Sequence, residues 1–63
     1  MKFGHFDDLK KEYVIETLAK GNAVIVCDFS TMRMLDCREM TVNTINSFIA
    51  KPDTVFFKGV ASA

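Results

Sequence analysis

A continuous run of apolar residues at positions 23–27 (Ala-Val-Ile-Val-Cys) constrains the fold of this 63-residue chain more than any other feature. Asp28 and Phe29 follow it, and the run lacks the apolar–polar alternation of a strand that has one wet face. Continuous runs of this length are typical of strands covered on both faces, usually in parallel sheets. We therefore predict an interior strand over residues 23–29, and we expect the loop at its carboxyl end to carry the function.

The segment before this strand has the pattern of an amphipathic helix. Apolar residues recur at helical spacing over residues 9–20, and charged residues occupy the opposite side. Asp7 and Asp8 offer an N-cap with negative charge, and Gly21 stands where a left-handed C-cap is needed. These features predict a first helix over residues 9–20, preceded by a short strand over residues 2–6.

A second helix is predicted to begin at Cys37, after a loop at residues 30–33. Asp36 and Glu39 have the spacing of a capping box. Helical spacing of apolar residues continues until Pro52, which ends the helix because proline disfavours a helical conformation in the residue before it. The loop and the start of this helix thus lie at the carboxyl end of the interior strand.

A last strand over residues 54–60 completes the order strand, helix, strand, helix, strand. This βαβαβ order predicts a small α/β unit with a mostly parallel sheet, right-handed crossovers and two helices. Helices from two such crossovers lie on one face of the sheet, although residues 23–27 are suited to burial on both. A chain this short buries only about 60% of its unfolded surface. We therefore predict that a homodimer, or an unusual second layer, covers the other face or an edge strand.

The charge balance excludes several classes of partner. Eight basic and eight acidic residues give a net charge of zero, and we expect neither nucleic-acid binding nor attraction to anionic membranes. The apolar run is too short to span a bilayer, and the amino-terminal residues lack the apolar stretch of a signal peptide. We expect a cytoplasmic protein without membrane insertion, in which both cysteines are free thiols.

Few residues are arranged as a catalytic or metal site. His5 is the only histidine and has no partner at metal-ligand spacing, so we expect no metal and no cofactor. Asp28 and Asp36 flank the loop, where paired carboxylates serve acid–base chemistry or Mg²⁺ binding, but cap and turn roles also account for them. Cys37 is either a thiol activated by a helix N-terminus or a small apolar residue. We do not expect an enzyme.

The residues on either side of the loop carry a family resemblance. Residues 26–30 (Val-Cys-Asp-Phe-Ser) and 35–40 (Leu-Asp-Cys-Arg-Glu-Met) resemble the signature of the STAS family, which includes the anti-sigma-factor antagonists. The resemblance implies one STAS-like α/β domain over residues 1–63, shorter than usual, that recognises other proteins. The regulatory phosphorylated serine of the family falls at Cys37, and its Ser-Gly at the next two positions, so switching by phosphorylation there is lost.

Two further resemblances cover parts of the chain. Residues 20–26, with parts of the next helix and the last strand, are similar to the SepF family of bacterial cell-division proteins. This resemblance implies a self-assembling structural scaffold, which would use the open side of the sheet with Phe56 and Phe57. Residues 1–8 and 12–15 are similar to the amino terminus of cellobiose phosphorylases, which leaves open a designed or chimeric origin without native function.

A protein–protein recognition module is the preferred interpretation. Its predicted contact surface is the loop and the start of the second helix, with these residues: Met32, Arg33, Met34, Cys37, Arg38 and Thr41. The arginines would donate hydrogen bonds to carboxylates of the partner, and the methionines would supply adaptable apolar area, unless they only fill the core. The self-assembling scaffold and a thiol-based redox sensor acting through Cys37 are the alternatives.

Overall fold

The computed structural model describes the backbone of residues 3–61 and the side chains of residues 6–59. Within these residues the chain forms a four-stranded sheet and two helices. The elements are β1 (Phe3–Leu9), α1 (Val14–Ala19), β2 (Val24–Asp28), β3 (Arg33–Asp36), α2 (Val42–Ala50) and β4 (Thr54–Ala61). A 3₁₀ turn precedes each helix, at Lys11–Tyr13 and at Cys37–Glu39. Lys2, where the first strand is predicted to start, and the side chain of His5 lie outside this described part.

The strands lie in the order β1-β4-β2-β3, and every neighbouring pair is antiparallel. β1 and β2 run in the same direction, because each is antiparallel to β4, which lies between them. In the same way β3 and β4 run in the same direction on either side of β2. Each helix therefore connects two parallel strands that are not neighbours. The α/β class and the two helices agree with the prediction, whereas the predicted mostly parallel sheet is wrong.

The sheet differs from the prediction because of one short strand, β3. Residues 30–33 are predicted as a loop that leads into a helix, but the chain turns back at residues 29–32 and pairs Arg33–Asp36 with β2. Asp28 fixes the turn, since its Oδ1 accepts hydrogen bonds from the Ser30 backbone N–H at 3.0 Å and from the Ser30 hydroxyl at 2.7 Å. The connection through α2 then begins on the far side of β2 and delivers β4 between β2 and β1.

The first helix starts later than predicted. β1 continues to Leu9, so that Asp7 and Asp8 lie inside a strand and not at a helix N-cap. Helix α1 follows only after the 3₁₀ turn. The left-handed residue predicted after the helix is confirmed, because Gly21 has a φ of 86° and its N–H donates to the Leu18 carbonyl at 2.9 Å.

The second helix also starts later than predicted. Asp36 accepts a hydrogen bond from the Arg38 N–H at 2.9 Å, as a cap does, but it caps the 3₁₀ turn. Helix α2 has its own N-cap, Thr41, whose hydroxyl oxygen accepts from the Thr44 N–H at 3.2 Å. Between the two caps Met40 has extended backbone angles, with φ −108° and ψ 155°, so the chain changes direction before α2 begins.

Both helices pack on the same face of the sheet, where the core lies. Its buried apolar residues come from the helices, the second 3₁₀ turn and the two central strands: Val14, Val24, Val26, Cys37, Ile45 and Phe56. Cross-strand neighbours share a face, and Val26 is paired with both Phe56 and Leu35. Burial of this apolar surface drives folding. The residues that alternate with these along the strands therefore point away from the helices.

Candidate functional site

The candidate site is the side of the sheet that points away from the helices, which we name the open face. Alternation along the strands and the cross-strand register place two rows of residues on it. The first row is Asp8, Phe57, Ile25 and Asp36, across β1, β4, β2 and β3. The second row is Val55, Cys27 and Met34, across β4, β2 and β3. Both rows are apolar at their centre, and the first has an acidic residue at each end.

Large apolar side chains remain exposed on the open face. Met34 is 67% exposed, and Phe6 of β1 and Val55 of β4 are also exposed. The other apolar residues of the two rows are half-buried: Ile25, Cys27 and Phe57. A contiguous exposed apolar area on a small domain is typical of an interaction surface, because it is costly to leave in water.

The apolar run at residues 23–27 serves both faces of the sheet. Val24 and Val26 are fully buried beneath the helices, whereas Ile25 and Cys27 point to the open face. Strand β2 is interior in the sheet, between β4 and β3, as the run predicts. The described residues cover only the helix side of β2. Ile25 and Cys27, on its other side, are therefore left half-buried although the run is suited to burial on both sides.

The turn of the β2–β3 hairpin extends the open face at one end. Met32, in the turn, is 82% exposed and has a positive φ of 55°. Phe29, also in the turn, is 56% exposed. With Cys27, Arg33 and Met34, these two residues line a shallow concavity of about 240 Å³. Three predicted contact residues, Met32, Arg33 and Met34, are therefore neighbours at this end.

Cys37, another predicted contact residue, lies in the core. Its side chain is 1% exposed, so a partner at the surface does not reach it. Burial, together with the negative charge of Asp36, raises the pKa of the Cys37 thiol to about 11. The thiol is therefore protonated at neutral pH, which is the opposite of what a redox sensor needs. The expected helix N-terminus is absent here, since Cys37 opens a three-residue 3₁₀ turn.

Arg38 and Thr41 are engaged in local hydrogen bonds. The Arg38 guanidinium grips the Asp36 carboxylate, with Nη2 2.8 Å from Oδ2 and Nε 3.2 Å from Oδ1. These hydrogen bonds hold the pKa of Asp36 below its ordinary value and raise the pKa of Arg38. Thr41 caps α2. The six predicted contact residues therefore do not form one surface. Met32, Arg33 and Met34 line one concavity at the hairpin end, although the register places Arg33 opposite Asp28 on the helix side.

Asp28 and Asp36 do not form a carboxylate pair. Asp28 is paired with Arg33 and is buried on the helix side of the sheet, whereas Asp36 is paired with Ile25 and lies on the open face. Hydrogen bonds from Ser30, aided by the Lys51 ammonium at 3.2 Å, lower the pKa of Asp28 from 3.8 to about 2. The residue is a fixed anion with filled hydrogen bonds, which suits a structural role and not general acid–base catalysis.

A second concavity, of about 340 Å³, lies on the helix side between α1 and the start of α2. Its lining is mostly apolar and includes Ile15, Leu18, Met40, Val42 and Arg38. The charge of Arg38 is already neutralised by Asp36, so the groove offers no free polar anchor for a ligand. It carries less recognition chemistry than the open face.

Three exposed residues of the candidate site, Phe6, Phe29 and Val55, are not among the predicted contact residues. The antiparallel register places Phe6 and Val55 on the same face as Met34, and Phe29 joins them through the hairpin turn. A βαβαβ prediction contains neither this register nor this turn. Among residues 3–61, no group of three or more His, Cys, Asp or Glu side chains is placed to hold a metal ion. Within that same span, none of the helices is both long and apolar enough to cross a membrane.

Comparison of the chain with models of protein families, with curated proteins and with solved structures gave no match. The resemblances to the STAS family, to SepF and to the cellobiose phosphorylase amino terminus therefore stay predictions.

Proposed function

We propose that this chain is a protein–protein recognition module, and not an enzyme, whose contact surface is the open face and the turn of the β2–β3 hairpin. The observation that carries the proposal is the set of exposed large apolar side chains on the open face and in the adjoining hairpin turn. Phe6, Met34 and Val55 lie on the open face, and Phe29 and Met32 lie in the turn. A partner that covers them removes apolar surface from water, which stabilises a complex by about 25 cal/mol per Å².

The hairpin end supplies adaptable contacts. Met32 and Met34 are flexible and polarizable, so they adjust to the shape of a partner. Arg33 is exposed beside them, and its guanidinium suits a bidentate hydrogen bond to a carboxylate of the partner. This trio retains the predicted recognition chemistry, whereas Cys37 is left out because it is buried.

Of the STAS-like regulatory role, we propose only the binding of another protein. The position of the family's phosphorylated serine is occupied here by Cys37, which has no hydroxyl and lies in the core. Partner exchange by phosphorylation at that position is therefore not part of the proposal. We also propose a cytoplasmic location, because both cysteines are free thiols, Cys27 on the open face and Cys37 in the core.

Self-assembly is the second candidate function, and it uses the same surface. Of the two residues predicted to mediate it, Phe56 is buried beneath the helices and only Phe57 points to the open face. Size-exclusion chromatography with light scattering separates the two functions. Polymers or large rings favour a scaffold, and a discrete monomer or dimer favours the recognition module.

Site-specific photo-crosslinking tests the proposed surface. A photoreactive amino acid in place of Met34 is expected to crosslink to a protein, either a second copy or a component of an extract from the cells that encode the chain. The same amino acid in place of Val42, an exposed apolar residue on the helix side, is the matched control and should give no adduct. Val55→Asp should abolish the Met34 adduct. Adducts from position 42 alone, or none from position 34, would contradict the proposal.

A further inference from the structure

We infer that the occupant of the open face is a second copy of this chain, packed face to face with each strand antiparallel to its own counterpart. The inference rests on the proposed function, because it takes the open face as the contact surface. Two independent features of the two rows carry it, the sizes of the apolar residues and the order of the charges. Sheets that pack in this way lie about 10 Å apart and interdigitate their side chains.

The second row ends in a charged residue at the β1 edge. Register pairs Leu9 with Phe56 on the helix side, so the next position along the chain is opposite Val55. Lys10 occupies that position, keeps extended backbone angles of φ −69° and ψ 140°, and is exposed. Alternation continued one residue past the last pair of the ladder puts Lys10 on the same side as Asp8, at the β1 edge of the second row. The paired residues of that row are Val55, Cys27 and Met34.

A two-fold axis that lies between the two rows, and runs across the strands, places each row on the other row of the second copy. Every strand then lies over its own counterpart. Phe57 meets the partner's Val55, and Ile25 meets the partner's Cys27, so each large side chain faces a smaller one. Interdigitation of large and small residues is what close packing between two sheets requires.

The same axis pairs opposite charges. Asp8 meets the partner's Lys10, and by symmetry this happens twice in the dimer. Asp36 meets the partner's Met34, and its charge is already neutralised by Arg38 at 2.8 Å. No like charges meet along either row.

The other two-fold axis in the plane of the sheet, parallel to the strands, gives poor complementarity. It places β1 over the partner's β3, so that Asp8 meets the partner's Asp36 and Phe57 meets the partner's Ile25. The attraction between Asp8 and the partner's Lys10 is then absent, and the large Phe57 faces the large Ile25 while the smaller Val55 faces Cys27. Close packing and the pairing of opposite charges therefore favour the first axis.

The size of the face sets the expected affinity. Four strands about 4.8 Å apart, with about five residues at 3.3 Å each, span roughly 19 by 16 Å. Interfaces that bury less than about 1,200 Å² in total are typical of weak association. The dimer should therefore form in a concentration-dependent equilibrium, which analytical ultracentrifugation can follow from about 1 µM to about 1 mM.

Charge reversal tests the arrangement. Asp8→Lys opposes two lysines at each contact, and Lys10→Asp opposes two aspartates, so each variant alone should raise the dimer dissociation constant at least about tenfold. An equimolar mixture of the two variants restores opposite charges at both contacts and should recover a heterodimer of wild-type affinity. Repulsion within one chain does not produce this recovery. Circular dichroism checks that both variants fold, and Glu12→Lys, an exposed reversal in the 3₁₀ turn that precedes α1, should leave the equilibrium unchanged.

The outcomes separate this inference from the proposed function. If the wild type stays monomeric up to 1 mM while Met34 crosslinks to a different protein, the second copy is excluded and the recognition module stands. If the wild type dimerises but the mixture shows no recovery, the antiparallel arrangement is wrong. If Val55→Asp leaves dimerisation intact, the dimer does not form through the open face and the inference falls, whereas the recognition module is then decided by the Met34 crosslink. Recovery in the mixture, with loss of dimer in Val55→Asp, supports both.

Discussion

The Lys51 ammonium lies 3.2 Å from the Asp28 carboxylate, and this contact joins the end of α2 to the end of β2. Lys51 also holds its surroundings through its backbone carbonyl, which accepts hydrogen bonds from the Lys11 ammonium at 2.6 Å and from the Thr54 hydroxyl at 2.9 Å. The Asp28 side chain is almost fully buried, and Ser30 fills its other oxygen. One end of the two-layer unit is thus held by polar contacts where the apolar core stops.

The Asp28 cluster predicts a loss of stability in acid. The pKa of Asp28 is lowered from 3.8 to about 2, first by the Ser30 hydroxyl and further by Lys51. A carboxyl whose pKa is depressed in the folded state stabilises the fold above its ordinary pKa, and this contribution disappears as the pH falls through the folded value. We expect the free energy of unfolding to decrease between about pH 5 and pH 2. Urea titrations at a series of pH values measure it.

Asp28→Asn provides the control for this pH dependence. The variant keeps the shape of the side chain but lacks the titrating group, so its stability should fall less steeply over the same pH window. Asp53→Asn, at an exposed carboxylate near the same end of the sheet, should retain the wild-type slope. Parallel slopes for wild type and Asp28→Asn would show that Asp28 does not carry the acid sensitivity.

Two phenylalanines should respond very differently to truncation. Phe56 is 1% exposed at the centre of the core, and Phe56→Ala should cost about 3–5 kcal/mol in the free energy of unfolding. A domain of this size is stable by only roughly 3–9 kcal/mol, so this loss removes at least about a third of its stability. Phe29→Ala, in the exposed hairpin turn, should change stability by less than about 1 kcal/mol. Thermal melts at low protein concentration compare them, and equal losses would refute this placement of the core.

The sequence predicted the elements with a strong local pattern. The apolar run became β2, the residues after Pro52 became β4, and Gly21 took the left-handed conformation that its position demanded. The strand β3 escaped prediction because Arg33–Asp36 is short and mixed in polarity. The turn before it is held by local hydrogen bonds between Asp28 and Ser30, two residues apart, so a turn signal was present but was interpreted as a loop that leads into a helix. A single missed strand was sufficient to turn an antiparallel sheet into a predicted parallel one.

The candidate site shows the same limit. Met32, Arg33 and Met34 are close in sequence, and the structure keeps them together on the hairpin. Cys37 and Arg38 are equally close in sequence, but the chain passes around the β3 edge after Asp36 and carries the thiol into the core. Residues that are close in sequence could therefore be predicted for the hairpin end of the open face. Phe6 and Val55 could not, because only the register of strands distant in sequence brings them there.

Gly21→Ala should destabilise the fold through the backbone alone. Gly21 has a φ of 86°, and no atom outside Gly21 and its two chain neighbours lies within 4 Å of the position that a Cβ would occupy. The cost of a left-handed conformation for alanine is about 1–2 kcal/mol. Gly21→Asn should lose less, because asparagine tolerates this region better. Chemical denaturation measures both variants, and an alanine variant as stable as the wild type would contradict the left-handed cap.

The two cysteines should differ sharply in reactivity toward iodoacetamide. The pKa of the Cys37 thiol is raised to about 11 by burial and by the Asp36 charge. Iodoacetamide at pH 8 should therefore modify Cys37 only when the protein unfolds. Cys27 is half-buried on the open face and should react first in dilute protein. In the proposed dimer the second copy covers Cys27. Alkylation of Cys27 should therefore slow as the protein concentration rises. Mass spectrometry of the Cys27→Ser and Cys37→Ser variants assigns each rate. Fast labelling of Cys37 in the folded state would reopen the redox-sensor interpretation.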